Sequence, residues 1–191
     1  MTFALGVLIV TALVGWLVNR LRFSELRAFL IGAFVALILV EIGTSFHHAR
    51  IEGNSMAPLF RDGDHVLVST VPYRLREPKR QEVVALYYPL NPTKSFIERV
   101  IAEEGDVVRI VDGRVYLNDI LQKDEYVPAD FRSHDNFGPQ VVLEGYYFVM
   151  GDHRNGSTDS RHWGVVPKKY IWGRVATAIW RARSHQSNSP R

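Results

Sequence analysis

The side chains able to do chemistry gather in four short segments of this 191-residue chain. Ser55 lies in Ile51-Glu52-Gly53-Asn54-Ser55-Met56-Ala57-Pro58, with Gly63-Asp64-His65-Val66-Leu67-Val68 close behind. Glu98 lies in Phe96-Ile97-Glu98-Arg99-Val100-Ile101, ahead of Gly105-Asp106. The last segment is the densest: Gly151-Asp152-His153-Arg154-Asn155-Gly156-Ser157-Thr158-Asp159-Ser160-Arg161-His162-Trp163-Gly164. A serine hydroxyl is a poor nucleophile unless a base stands beside it. A carboxylate can be that base when an apolar, water-poor site raises its pKa towards roughly 6–7. Read alone, a serine after Gly-Asn is a turn residue; the three later segments change that reading. Other chemistries lack residues. Cysteine is absent, which excludes disulfides and thiolate metal sites, and there is no nucleotide or haem motif, so no cofactor is expected. A net charge of +3, with no basic run interleaved with aromatics, argues against a nucleic-acid partner.

The elements that must position these segments are mostly strands. His65–Val68, Glu82–Tyr88, Ser95–Ile101, Tyr146–Met150 and Gly173–Trp180 are short runs rich in β-branched and aromatic residues. Val107–Val111 and Arg114–Leu117 flank Asp112-Gly113, a strong hairpin signal. Strands at this spacing predict a mostly β domain, an antiparallel barrel-like sheet, over residues 47–183. Residues 133–139 read as a loop and residues 184–191 as a frayed polar tail.

Two apolar segments precede the domain. Met1 to Val18 carries no charge, enough to span a bilayer with little tilt. A cleaved signal peptide would need a basic start, whereas Arg20 and Arg22 follow the segment. The second segment, residues 28–46, is interrupted only by Glu41, near its end, where a side chain can snorkel. Residues 19–27 between them hold three arginines, which marks a cytoplasmic loop. Two transmembrane helices in residues 1–46 then place the β domain outside the cytoplasm, on a multi-pass protein of the plasma (inner) membrane, with the lipid bilayer as one partner.

Taken together, the four ordered segments resemble those of type I signal peptidases, over nearly the whole chain. The pattern Gly-Asp-x-Arg-Asn-x-Ser-x-Asp-Ser-Arg-x-Trp-Gly is the most specific part. The resemblance implies a Ser/Lys dyad endopeptidase that removes signal peptides from exported precursors, cutting after small residues at minus three and minus one. Carried over by motif, Ser55 matches the nucleophile, with its backbone N–H in the oxyanion hole. Ser157 matches the serine that orients the dyad base. Asp152, Arg154, Asp159 and Arg161 match charged residues near the site and read as structural ion pairs. Ile51, Met56, Phe60, Phe96 and Ile97 match the lining of shallow substrate pockets. An extended precursor would add to the sheet edge beside Phe96-Ile97.

The chain departs from the family at position 98, where the dyad lysine should stand and Glu98 does. A second oxyanion donor, contributed in some members by a serine at position 53, is replaced by Gly53. Lys94 shares the face of Glu98 on a regular strand but lies about 13 Å away at about 3.3 Å per residue. His153 and His162 replace asparagine and tyrosine; either could lie near the site, with a surface imidazole the preferred reading. An arginine at 154 or 161 would hold Glu98 ionised. Two readings follow. One is an active peptidase with Glu98 or a neighbour as base. The other is a catalytically silent homologue that binds extended peptides or a membrane partner.

Overall fold

The computed structural model describes residues 9–16 and 24–182. Residues 9–16 are helical; the rest of the first apolar segment, residues 19–23 of the expected loop and the tail lie outside the described residues. Helix α1 runs Ser24–Thr44, and within it Leu26–Thr44 is long and apolar enough to cross a membrane. It is the one such helix among the described residues, against the two expected. Its bounds correct the expected 28–46. It takes in residues 24–27, assigned above to the loop, and releases Phe46 to the sheet. Only Ser45 separates α1 from strand β1, Phe46–Arg50. Ser45 is buried and bonded both ways: its N–H donates to Ile42 O, its Oγ to Glu41 O, and its carbonyl accepts from Thr70 N. Glu41 ion-pairs with Arg74 of the β domain, a partner no apolar-segment reading supplies.

Ten further strands follow: β2 His65–Ser69, β3 Val83–Tyr88, β4 Asn91–Ala102, β5 Val107–Val111, β6 Arg114–Leu117, β7 Ile120–Leu121, β8 Phe137–Val141, β9 Tyr146–Met150, β10 Val166–Pro167 and β11 Ile171–Trp180. Short helices α2, Val71–Leu75, and α3, Ser160–Trp163, lie between them. The strands form a seven-stranded sheet in the order β1-β2-β11-β3-β4-β9-β10 and a four-stranded sheet in the order β7-β6-β5-β8. Every pairing is antiparallel. The mostly β expectation holds, but the barrel does not close. β1 and β10 are the two ends of the larger sheet, and the pairings that would join them are absent among the described residues. The expected loop 133–139 ends at Asn136, because Phe137, Gly138 and Pro139 enter β8. Proline is tolerated there because β8 is an edge strand and needs no donor on its open side.

The centre of the larger sheet is covered on both faces, which explains the unbroken apolar run Val83-Val84-Ala85-Leu86. Val83 and Ala85 pack with Ile51, Met56, Phe60, Val66, Val68 and Val175. Val84 and Leu86 pack on the opposite face with Val100, Tyr147, Val149, Val166 and Ile171. A third cluster, including Ile101, Val108, Ile110, Val115 and Phe148, joins the two sheets. β4 belongs to all three clusters and carries Glu98 through the middle.

Candidate active site

The Ser55 turn is docked onto the loop that leaves β9. The Ser55 carbonyl accepts from the His153 N–H at 2.9 Å. Gly151 is the point of closest approach. A Cβ there would stand 2.5 Å from Ser157 Oγ and 2.6 Å from the Ser55 carbonyl oxygen. Only glycine lets Ser55 and Ser157 converge on this spot. The turn is also braced from its own side: Gly53 N donates to Asp62 Oδ1, and Asp62 N to Asn54 Oδ1.

Glu98 is 2% exposed. It stands opposite Val84 in the β3–β4 register, so it shares the face of Val84 and Val100. Its Oε2 is buried without a hydrogen-bond partner, and so is the Oγ of Ser157. An ionised carboxylate is costly in such a place. Burial accordingly pushes the Glu98 carboxyl well above the ordinary carboxylate range, and the charges of Asp159 and Asp152 push it the same way. Arg161 opposes them without prevailing. This corrects the expectation that an arginine of the last segment would hold Glu98 ionised. Those arginines are already engaged. Arg161 binds both Asp159 oxygens at 2.8 Å and the Arg154 carbonyl at 2.7 Å, and pairs with Asp135 at 3.2 Å. Arg154 donates to the Gly151 carbonyl and to Tyr126 Oη, and lies 3.6 Å from Asp124 Oδ2.

The four charged residues of the last segment form the frame beneath the turn. Asp152 receives a bidentate bond from Arg99 at 2.8 and 2.6 Å. Asp159 caps α3, accepts from Gly151 N at 3.0 Å, and so fixes the glycine that the two serines approach. Ser160 Oγ accepts from Val149 N, tying α3 to β9.

The expected pocket lining divides in two. Ile51, Met56 and Phe60 lie in one cluster, with Ile97 packed against it. Phe96 is not with them. Strand alternation turns it to the other face, against Tyr88 at 5.0 Å between ring centroids. Beside Ile97 there is open edge. β9 pairs with β4 only at Arg99, Val100 and Ala102, whereas β3 covers the other side of β4 from Asn91 to Arg99. Lys94 is exposed on the continuous strand, with no fold-back towards Glu98. His162 completes the α3 capping box and is exposed. His153 is not the surface imidazole expected. It is half-buried and stacks on Phe131 at 4.1 Å. Sequence reasoning also missed Tyr126, over which Arg99 lies at 4.2 Å from the ring centroid. Neither residue carries a local signal, because their partners are distant in the chain.

A two-sheet antiparallel domain thus follows an apolar helix, and Ser55 and Ser157 approach one glycine of an ion-paired loop. Residues 24–180 match the family described as signal peptidase, peptidase S26. The chain belongs to the signal peptidase family. It is 34% identical over 151 residues to a probable signal peptidase I-2 of Synechocystis, covering 75% of this chain and 68% of that one. It is 30% identical over 163 residues to signal peptidase I V of Bacillus subtilis, covering 78% and 96%. A probable thylakoidal processing peptidase 2 of Arabidopsis thaliana is 37% identical over 139 residues, covering 68% of this chain and 37% of that protein. A crystal structure of a signal peptidase I from Enterococcus faecalis aligns with a TM-score of 0.47 at 27% identity, over 53% of this chain and 98% of that one.

Proposed function

We propose that this protein is a membrane-anchored signal peptidase, a serine endopeptidase that removes signal peptides from exported precursors by cutting after small residues. In this reading α1 anchors the chain in the bilayer and the β domain stands on the extracytoplasmic side. The precursor extends along the open edge of β4, taking main-chain hydrogen bonds there, with small side chains against Ile51, Met56, Phe60 and Ile97.

The observation that carries the proposal is the docking of the Ser55 turn onto Gly151 and Ser157 beside that open edge. Ser55 Oγ attacks the scissile carbonyl carbon and gives its proton to the ionised Glu98 carboxylate. The negative charge on the carbonyl oxygen is met by the Ser55 N–H. Glu98 then returns the proton to the departing amine, and the signal peptide stays esterified to Ser55. Water then gives a proton to Glu98 and adds to the ester carbonyl; the bond to Ser55 Oγ breaks, Glu98 returns the proton to that oxygen, and the signal peptide leaves as a carboxylic acid. Burial suits Glu98 to this, since a carboxylate with a raised pKa is a stronger base than an ordinary one.

The test is cleavage of a precursor with alanine at minus three and minus one by the purified full chain in detergent. Wild type turns over and Ser55→Ala does not. Cleavage surviving Ser55→Ala would overturn the assignment of the nucleophile. No turnover by wild type or by Glu98→Lys would leave the protein a peptide-binding homologue.

A further inference from the structure

We infer that His153 is a positioning residue that aims the backbone N–H of Ser55 at the scissile carbonyl. This rests on the reading of Ser55 as the nucleophile whose N–H forms the oxyanion hole. His153 grips two consecutive carbonyls of the turn. Its main-chain N–H donates to Ser55 O at 2.9 Å, and its ring Nδ1 lies 3.1 Å from Asn54 O. A carbonyl oxygen only accepts, so Nδ1 carries the proton and the tautomer is fixed.

The Asn54 carbonyl and the Ser55 N–H belong to one peptide unit. That unit is planar, and it is not among the cis peptides of the described chain. The two groups therefore point in opposite directions, and whatever fixes one aims the other. The turn's own bond, Ala57 N to Asn54 O at 3.0 Å, is a single hinge about which the plane can rock. The imidazole, arriving from a different part of the chain, supplies the second constraint. The Ser55 N–H itself has no acceptor among the described residues, so it is left to donate to a substrate.

The ring is held as a tool would be. Phe131 stacks on one side at 4.1 Å, with 30° between the planes. Gly156 lies against it so closely that a Cβ there would be 2.9 Å from Cε1. A surface histidine needs neither.

The test exploits an isosteric pair. An asparagine amide nitrogen is attached to Cγ as Nδ1 is, and can donate to Asn54 O; an aspartate in the same space can only accept. The full chain in detergent is assayed with the same precursor, and the Ser55 amide is followed in a 15N-serine-labelled spectrum. His153→Asn keeps kcat and the Ser55 resonance near those of wild type. His153→Asp lowers kcat by about tenfold or more with KM little changed, as expected for a misaimed oxyanion donor, and its Ser55 resonance moves. The two variants melt at similar temperatures. Equal kcat in the two variants, or an unmoved Ser55 amide in His153→Asp, overturns the inference. Failure of the wild type to cleave would defeat the proposed function instead, and the amide comparison would still decide the role of His153.

Discussion

Replacing Glu98 by glutamine should make the protein more stable, and increasingly so as pH rises. In the unfolded chain a glutamic acid ionises near pH 4.3. In the folded protein Glu98 keeps its proton to a much higher pH, because it is buried, has an unpartnered Oε2, and faces the charges of Asp159 and Asp152. Between those two pKa values the folded state holds one proton more than the unfolded state. Stability therefore falls with rising pH, by up to about 1.4 kcal/mol per pH unit for this one group. The loss begins near the unfolded pKa and stops at the folded one. Glutamine has nearly the same shape and does not titrate, so its own packing cost is a constant offset. All other ionisable groups are common to both proteins and cancel. The measurement is urea unfolding in mild detergent, followed by tryptophan fluorescence, at half-unit steps from about pH 3 upward, about one unit below the unfolded pKa. The stability difference between Glu98→Gln and wild type should be flat at the acid end, climb with that slope, and then level off. A difference flat throughout would refute the reasoning, since Glu98 would then ionise in the fold as it does in water. A trend in favour of wild type would mean that Glu98 is held as a charged partner.

The cleavage rate should share that upper inflection, with kcat/KM rising with pH as Glu98 ionises; a rate already at its plateau at the ordinary carboxylate pKa would remove Glu98 as base. Glu98→Lys should cleave the alanine precursor at least as fast as wild type, whereas Glu98→Gln should lose the activity; equal rates in all three would deny position 98 a role. Arg99→Gln should cost about 3–5 kcal/mol in unfolding experiments, because it strips the bidentate partner from Asp152, which is 1% exposed. Gly151→Ala should abolish cleavage and lower the melting temperature, because its Cβ would meet the Ser55 carbonyl at 2.6 Å; an active, stable variant would show that the Ser55 turn is not seated on this loop.

The parts of the fold legible in the sequence were those written in local hydrophobic patterning. β2, β5 and β6 fall within a residue or so of the alternating runs that announced them, since about one residue in two faces a core, and β3 and β9 do the same as continuous apolar runs covered on both faces. β1 was hidden because Phe46-His47-His48-Ala49-Arg50 is exposed along most of its length and continues an apolar run. Whether the sheet closes depends on pairings between distant strands, which no window of sequence contains. The same holds for the site. Ser55, Ser157 and Glu98 could be named from motifs. The protonation of Glu98 could not, because it depends on how deeply the fold buries the carboxyl and on the charges of Asp159 and Asp152, which the fold brings near. The clamp of His153 on Asn54 joins positions 99 residues apart and leaves no trace in either neighbourhood.

Under the proposed function, the single residue between α1 and β1 bears on which precursors are cut. With α1 in the bilayer, as proposed, a linker of ordinary length would let the β domain tumble and sweep a broad zone above the lipid. Ser45 allows nothing of the kind: it is buried, bonded on three sides, and flanked by the Glu41–Arg74 ion pair. The domain then rides at a fixed height over the headgroups, turned by the tilt of the helix and by little else. A signal peptide lying in the same bilayer must bring its scissile bond to that height to be cut. Selection becomes partly a matter of length, and the small residues at minus three and minus one are read only on chains that first reach the ruler's mark.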